Sequence, residues 1–176
     1  GVLKDCITTG KPCSVHEKAR EIIVAVAEAL SYIHEQGIVH RDVKPDNILV
    51  NAEGEVRLID FSTAVTGLAR WIPFVRKAEG TPSYMAPEQI KRRPVTPAVD
   101  MYAFGATIYE MFASRPPFVG HHQNEVLTRH LKAKPETLQR YNRHIAPDFD
   151  ALVLSMLAKK PADRPLDMHA FLRAFK

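Results

Sequence analysis

Residues 40–50, HRDVKPDNILV, concentrate side chains that can handle protons, phosphates and metal ions. The carboxylate of Asp42 comes two residues before the ammonium of Lys44, and the amide of Asn47 follows three residues later. A carboxylate beside an ammonium can accept a hydroxyl proton while a phosphate is neutralised, and an amide oxygen can bind a hard cation. The alternative is a charged turn that only solvates itself, which is the better interpretation of Asp-x-Lys in isolation.

A second carboxylate, Asp60, directly follows an apolar run at 56–59. This run is separated from the apolar residues 48–50 by the turn-rich residues 51–54, a pattern that predicts a β-hairpin. The hairpin would bring Asp60 close to Asn47, and two such oxygen ligands form a weak Mg²⁺ site that substrate phosphates and water complete. The alternative is that Asp60 only caps a turn.

A long amphipathic helix is predicted over about 15–35, immediately before the polar loop. Its apolar residues recur every three or four positions, which places them on one face: Ala19, Ile22, Ile23, Val26, Leu30 and Ile33. Ser14 followed by Glu17 is a capping-box pattern that marks the start, and Gly37 suits a left-handed cap at the end. The predicted helix therefore ends shortly before the polar loop.

A second helix is predicted from Thr96-Pro97, where a capping residue precedes a proline at the first helical position. Residues 99–112 are apolar on nearly every face, which is typical of a helix at the centre of a domain. Asp100 lies within this segment, and a buried carboxylate needs hydrogen-bonding partners. The amphipathic segments that follow lie at about 122–133, 147–158 and 166–175. The sequence therefore predicts a mainly α fold with a minimal β-hairpin.

The composition of the 176 residues, 45% hydrophobic and 25% charged, is typical of a single globular domain. The longest apolar stretch, 22–30, contains Glu28 and is shorter than the roughly 18 residues that a membrane span needs. The N-terminal residues lack the basic start and apolar middle of a secretory signal, and Cys6 and Cys13 are too few for a disulfide framework. These features predict a cytoplasmic protein without a membrane segment.

Basic residues and histidines give only weak indications of further binding. The net charge of +4 is modest, and the basic run 91–93 lacks the interleaved aromatic residues typical of nucleic-acid binding. His121, His122 and His130 lack a cysteine or carboxylate partner at metal-ligand spacing. The sequence therefore predicts neither a nucleic-acid partner nor a histidine-bound metal.

The string HRDVKPDN closely resembles the catalytic loop HRDxKPxN of serine/threonine protein kinases. Residues 80–89, GTPSYMAPEQ, resemble the end of the activation segment in bacterial serine/threonine kinases of the eukaryotic type. The resemblance extends over residues 1–176, and its motifs occur in the family's order. It implies the C-terminal lobe of a protein kinase, a mainly α helical bundle in which a small β-hairpin carries the catalytic loop.

The resemblance implies a role for each polar residue of the loop. Asp42 would orient and deprotonate the substrate hydroxyl, and Lys44 would contact the transferred phosphoryl group. Thr81 would meet both side chains, while Asn47 and Asp60 would hold Mg²⁺. The implied cofactors are ATP and Mg²⁺, and the implied partner is a protein substrate with serine or threonine hydroxyls.

The resemblance also assigns residues on either side of the loop. His40 and Phe61 would stack in the packed column that aligns the two lobes of the family. Leu49 would form part of the floor of the adenine pocket.

Three charged residues have structural roles by the same resemblance. Asp100 matches an aspartate that hydrogen-bonds backbone amides of the catalytic loop. Glu88 and Arg164 match the family's buried ion pair, which joins the activation segment to the late helices. Removing one partner of such a pair typically costs ~3–5 kcal/mol, because the other charge is left uncompensated.

Several parts of the kinase family have no match in residues 1–176. These parts are the glycine-rich phosphate loop, the strand lysine and the helix glutamate of the smaller lobe. We therefore expect the chain to begin just beyond the hinge between the lobes, without the N-terminal lobe. On this expectation the ATP site is incomplete without that lobe or a complementing chain, and the isolated chain has little or no activity.

Two positions near the loop have regulatory implications. Ser62 occupies the place where the family usually has glycine after Asp-Phe, so backbone rearrangement would be restricted there without loss of metal binding. Arg41 makes the loop an arginine-type loop, which is associated with a phosphorylated activation segment. Its candidate partners are phosphorylated Thr63 or Thr66, Glu79 as a fixed anion, or none in this state, and we prefer Glu79.

Two functions compete at this point. The first is a serine/threonine protein kinase that transfers the γ-phosphoryl group of ATP, with this chain as its catalytic lobe. The second is a non-catalytic, lobe-only binding or docking module, which would use the surface around Leu49 and the hydrophobic residues 71–75. The alternative for residues 71–75 is packing against the chain's own helices, which we prefer.

Overall fold

The computed structural model describes residues 1–9, 15–67 and 80–175, with side chains described from residue 18 onward in the second range. Within these ranges the chain is mainly helical, as predicted. The helices are α1 Leu3–Thr9, α2 Val15–Glu35, α3 Pro87–Ile90, α4 Ala98–Ala113, α5 Gln123–Lys132, α6 Pro147–Met156 and α7 Met168–Ala174. The strands are β1 Ile38–Val39, β2 Ile48–Val50, β3 Val56–Leu58 and β4 Val65–Thr66.

Helix α4 forms the centre of the core, as its uniformly apolar sequence predicts. Every residue from 99 to 111 is buried, and the helix packs against α2 and α6. A Cβ atom added to Gly105 would lie 2.7 Å from Cβ of Met156, so the close approach of α4 to α6 requires glycine here. The first helical residue is Ala98, one position later than predicted, because Pro97 precedes the helix as its cap.

Helix α2 covers the predicted range and buries the predicted stripe, whose six residues are at most 9% exposed. Full burial of one such aliphatic side chain contributes roughly 1.5–3 kcal/mol, so this stripe is a large part of the attachment of α2 to the core. Gly37 has φ +72°, and its N–H donates to the carbonyl of His34, which forms the predicted left-handed cap. Ser14 and the side chain of Glu17, the predicted capping box, lie outside the described residues.

Two small antiparallel sheets flank residues 40–47, which take the name catalytic loop from the motif that they resemble. Strands β2 and β3 form the predicted hairpin, in which Ile48 pairs with Leu58 and Val50 with Val56. Strands β1 and β4 form a second pair that the sequence does not predict, with Ile38 opposite Thr66. Because these strands are two residues long, they leave no alternation of apolar and polar residues to detect.

The late helices α5, α6 and α7 fall within the predicted amphipathic segments. None of the helices in the described ranges combines the length and apolarity that crossing a bilayer requires. The hydrophobic residues 71–75 and Glu79, which carried two of the predictions, lie outside the described residues.

Candidate active site

The carboxylate of Asp42 is held by four hydrogen bonds. Oδ1 accepts bonds from N of Thr81 at 2.8 Å and from its Oγ1 at 3.0 Å. Oδ2 accepts bonds from Nζ of Lys44 at 2.6 Å and from Nδ2 of Asn47 at 3.1 Å. The side chain of Asp42 is buried, so these bonds act with little competition from water and fix its orientation.

Lys44 links the catalytic loop to the segment that contains Thr81. Its Nζ donates to Oδ2 of Asp42 and to Oγ1 of Thr81, both at 2.6 Å. A lysine ammonium has three N–H donors, so one donor remains for an anionic group beside Asp42. The structure therefore brings together the three residues that the resemblance assigns to phosphoryl transfer.

The backbone of the catalytic loop is anchored to the core by Asp100. Its Oδ2 accepts a bond from N of His40 and its Oδ1 accepts one from N of Arg41, both at 2.8 Å. These bonds satisfy the fully buried carboxylate and hold Arg41 at φ +72°, a left-handed conformation that a non-glycine residue adopts only under constraint. His34, at the end of α2, lies 2.8 Å from Oδ2 of the same carboxylate, a partner that the sequence does not predict.

The segment with Thr81 is also tied to the loop through Gly80 and Gln89. Nε2 of Gln89 donates to the carbonyl of Arg41 at 2.9 Å, and its Oε1 accepts from N of Ala86 at 3.0 Å. Gly80 has φ +129°, and an added Cβ atom would lie 3.2 Å from the same Arg41 carbonyl. Gln89 and Gly80 therefore position Thr81, roles for which the sequence gives no signal beyond their place in GTPSYMAPEQ.

The side-chain amide of Asn47 is held by Asp42. Its Nδ2 donates to the backbone carbonyl of Asp42 at 2.8 Å as well as to the carboxylate. Both donors of the amide are thus used, and its oxygen is the group that could bind a cation. The backbone carbonyl of Asn47 accepts a bond from N of Ile59 at 2.9 Å. This bond connects the residue before β2 to the residue before Asp60.

Asp60 is exposed and caps a turn, as the alternative interpretation proposes. Its Oδ1 accepts bonds from Oγ of Ser62 at 2.6 Å and from N of Ser62 at 3.2 Å, and these bonds lower the pKa of the carboxyl. No residue in the described ranges donates to Oδ2, so capping leaves one oxygen for a metal ion. An amide oxygen and a carboxylate oxygen fit Mg²⁺, which binds through one or two protein ligands and keeps several waters. The described residues contain no cluster of three or more His, Cys, Asp and Glu side chains suited to a metal.

The predicted stacking of His40 and Phe61 is a tilted contact. The ring centroids are 4.8 Å apart and the planes meet at 60°, a geometry that the quadrupoles of aromatic rings favour over a parallel sandwich. His40 is fully buried and its Nε2 lies 3.1 Å from the carbonyl of Ile59, whereas Phe61 is 44% exposed. Part of the Phe61 side chain therefore remains exposed to solvent.

Arg41 has a backbone partner within the described residues. Its Nη1 donates to the carbonyl of Thr63 at 3.2 Å, and Oγ1 of Thr63 donates to the carbonyl of His40 at 2.9 Å. The Thr63 hydroxyl is therefore engaged in a bond that phosphorylation would remove. Thr66 is exposed in β4, and the preferred partner Glu79 lies outside the described ranges.

Leu49 lies half-buried in β2, beside a surface cavity of about 330 Å³. Val50, Asn51 and Arg57 also line this cavity, and the backbone of Leu49 pairs with Val2. The position is compatible with the predicted floor of an adenine pocket, which stays a prediction.

Glu88 and Arg164 form a bidentate ion pair. Nη1 and Nη2 of Arg164 lie 2.6 and 2.9 Å from the two oxygens of Glu88. Two further Arg164 donors reach the carbonyls of Ala158 and Ala98, and the guanidinium lies 4.8 Å from the ring centroid of Tyr102. The pair thus connects α3 to the start of α4 and to the segment after α6.

Comparison with known proteins agrees with this geometry. The protein kinase domain model matches residues 1–174. The serine/threonine-protein kinase PknB of Mycolicibacterium smegmatis is 34% identical over 92% of the chain and 26% of its own length. PknB of Mycobacterium leprae is 35% identical over 92% of the chain and 26% of its own length, and a probable serine/threonine-protein kinase of Streptomyces coelicolor is 34% identical over 90% and 24%.

The chain spans about a quarter of the length of these curated relatives. The family model nevertheless covers nearly all of the chain, and the matched range includes every residue of the candidate site. The chain therefore belongs to the protein kinase family, and its relatives place it among the serine/threonine kinases.

Proposed function

We propose that the protein transfers the γ-phosphoryl group of ATP to serine and threonine hydroxyls of protein substrates. In this proposal residues 1–176 form the helical C-terminal lobe of the kinase. The observation that carries it is the set of hydrogen bonds joining Asp42, Lys44, Thr81 and Asn47. Phosphoryl transfer depends almost entirely on positioning and electrostatics, and these bonds supply both on one side of the site.

Asp42 is the residue that receives the proton. A substrate hydroxyl that approaches Asp42 would replace one of its present donors. We expect it to replace the Thr81 hydroxyl, which makes the longer of the two bonds to Oδ1. The backbone N–H of Thr81 would keep the carboxylate in place during this exchange. The Thr81 hydroxyl would then be available to contact the substrate chain, as expected of a serine/threonine kinase.

Lys44 and the metal-binding residues handle the charge of the phosphates. The third N–H of Lys44 would donate to the transferred group, beside the carboxylate that takes the proton. The oxygen of Asn47 and Oδ2 of Asp60 would hold Mg²⁺, which neutralises negative charge on the phosphates. Leu49 would provide an apolar contact for the adenine ring.

The other side of the ATP site would come from an N-terminal lobe or from a complementing chain. In the family, the smaller lobe contributes the glycine-rich phosphate loop, the strand lysine and the helix glutamate to the ATP site. These motifs have no match in residues 1–176. On this proposal residues 1–176 alone transfer phosphate poorly, while the protein with its N-terminal lobe is active.

The test is phosphate transfer from labelled ATP to a general protein substrate by the full-length protein. Asp42→Asn is expected to lower the rate by about 10²–10⁴-fold, because proton acceptance contributes that much in typical enzymes. Asp46→Asn is the control, since Asp46 is exposed in the same loop. Wild-type rates in Asp42→Asn, or no transfer by the full-length protein, would contradict the proposal. The second result would favour the non-catalytic docking module.

A further inference from the structure

A basic pocket of about 280 Å³ lies beyond the C-terminal end of α4. We define the basic pocket by its charged lining residues and one aromatic residue: Arg115, Arg129, Lys134, Glu136, Arg140 and Tyr141. These residues come from the segment after α4, from α5 and from the segment after α5. No role in the proposed phosphoryl transfer involves any of them.

The charges of the basic pocket are only partly compensated. Nη2 of Arg129 pairs with Glu125 at 2.7 Å, and Nη1 of Arg140 pairs with Glu136 at 2.6 Å. Within the described ranges, neither Arg115 nor Lys134 has a carboxylate partner. The lining thus contains four cations and one carboxylate, Glu136. Because Glu125, outside the lining, compensates one more cation, two positive charges are left in excess.

Glu136 does not obstruct an anion, because both of its oxygens are already engaged. Oε1 pairs with Nη1 of Arg140, and Oε2 accepts a bond of 2.8 Å from the hydroxyl of Tyr141. The guanidinium of Arg115 lies over the ring of Tyr141, 5.8 Å from its centroid. Tyr141 and Glu136 therefore restrict the orientation of two of the arginine side chains.

Each arginine of the pocket retains donors for a ligand. A guanidinium carries five N–H donors, and the ion pairs of Arg129 and Arg140 each use one nitrogen. The planar guanidinium donates two parallel bonds to phosphate or carboxylate oxygens, and phosphate combines this geometry with close to two negative charges. A dianion therefore matches both the donors and the excess charge of the pocket.

We propose that the basic pocket binds a phosphorylated segment of a protein through its phosphate group. Asp100 contacts the catalytic loop near the start of α4, and Arg115 follows the end of this helix. With a rise of 1.5 Å per residue, the two ends of α4 are separated by roughly 20 Å. The pocket is therefore a docking site distinct from the catalytic loop, and its binding does not require catalysis.

The experiment compares a phosphoserine peptide with its unphosphorylated and glutamate-substituted twins by calorimetric titration. The phosphopeptide is expected to bind about tenfold more tightly than either twin, as one or two additional charge-assisted bonds provide. Inorganic phosphate is expected to displace it. The double variant Arg115→Gln/Lys134→Gln is expected to lose this tenfold preference.

The control is the double variant Lys132→Gln/Arg143→Gln, which removes the same charge from exposed cations that do not line the pocket. Thermal unfolding of both variants verifies that they fold. Equal binding of all three peptides would overturn the proposal, and so would an equal loss of binding in the control. Retention of the preference in Arg115→Gln/Lys134→Gln would also overturn it.

Discussion

The hydroxyl of Ser62 donates a hydrogen bond of 2.6 Å to Oδ1 of Asp60, the carboxylate that we assign to Mg²⁺. The backbone N–H of Ser62 donates to the same oxygen at 3.2 Å, and Asp60 has φ +62°. The kinase family usually has glycine at this position, and glycine would supply only the backbone N–H donor. Serine therefore restrains the carboxylate and the turn together through Oδ1.

Removal of the Ser62 hydroxyl is expected to loosen this turn. Ser62→Ala should increase hydrogen exchange at the amides of residues 61 and 62, and Ser62→Gly should increase it further because glycine also widens the backbone range. Ser62→Thr keeps the hydroxyl and serves as the control. Exchange measured by NMR on the metal-free protein tests the restraint by itself, and identical rates in wild type and Ser62→Ala would contradict it.

Loss of the Arg164 side chain is expected to destabilise the fold by ~3–5 kcal/mol, since it leaves Glu88 buried without its counter-charge. Arg164 contacts no residue of the proposed nucleotide site, so the effect should be far larger on unfolding than on any nucleotide contact. Urea and thermal unfolding of Arg164→Ala measure it, with exposed Arg173→Ala as the control. A melting temperature within a degree of wild type would show the expectation to be wrong.

Asp100→Asn is expected to disturb the catalytic loop while preserving side-chain volume. The N–H groups of His40 and Arg41 bond to different oxygens of Asp100, so in asparagine one of them would face an NH₂ donor in place of an acceptor. Each buried donor left unsatisfied costs about 1–3 kcal/mol. Unfolding should be easier, and kcat should fall more than KM rises because the loop positions Asp42. Asp163→Asn, at an exposed aspartate, is the comparison; equal stability of both variants would argue against the anchor.

Gly80→Ala is expected to be more destabilising than Gly37→Ala. Gly37 has φ +72°, close to the left-handed region that alanine enters at a cost of ~1–2 kcal/mol, whereas Gly80 has φ +129°, in a region that is essentially restricted to glycine. An added Cβ atom at Gly37 meets no atom within 4 Å, whereas at Gly80 it approaches the carbonyl of Arg41. The difference between the two variants in chemical unfolding therefore measures the combined backbone strain and crowding where the Thr81 segment meets the loop. A difference of zero would mean that the segment shifts without cost.

The stability of the protein is expected to fall as the pH is lowered from 7 to 5, in part through His130. Burial, assisted by the positive charge of Lys159, lowers the pKa of His130 from 6.5 to about 3. Below pH 6.5 His130 is therefore protonated in the unfolded chain, whereas in the folded chain it stays neutral down to about pH 3. The free energy of unfolding thus rises with pH across this window.

The variant His130→Gln isolates this contribution. It changes the overall stability, because Nδ1 of His130 lies 2.8 Å from the hydroxyl of Tyr102, but the slope of unfolding free energy against pH is the relevant readout. The slope between pH 7 and 5 should be smaller in His130→Gln and unchanged in His144→Gln, which replaces an exposed histidine. A slope equal to that of the wild type in His130→Gln would contradict the assignment.

The parts of the fold that the sequence predicts are those with a long local pattern. The stripe of α2 and the uniformly apolar α4 each extend over several turns, so their helices and the burial of Asp100 follow from spacing. The β2–β3 hairpin is marked by its turn residues. Strands β1 and β4 are paired across 26 positions, from Val39 to Val65, and neither is long enough to show a period.

The residues of the candidate site also differ in whether a local sequence pattern predicts them. The loop motif identifies Asp42, Lys44 and Asn47, because these residues are adjacent in sequence. His34 and the basic pocket depend on where distant segments meet, which no local pattern encodes. The Ser62 bond is local, and only the presence of serine in place of glycine signals it.

The anchoring of the catalytic loop by a buried carboxylate has a consequence for mutational screens. Asp100 is part of α4, and α4 packs so closely against α6 that a Cβ atom added to Gly105 would lie 2.7 Å from Cβ of Met156. A larger residue at Gly105 would shift the helix, and with it the backbone of His40 and Arg41. An activity-based screen would therefore score Gly105 as a catalytic position, although it lies in the interior and touches no reactant.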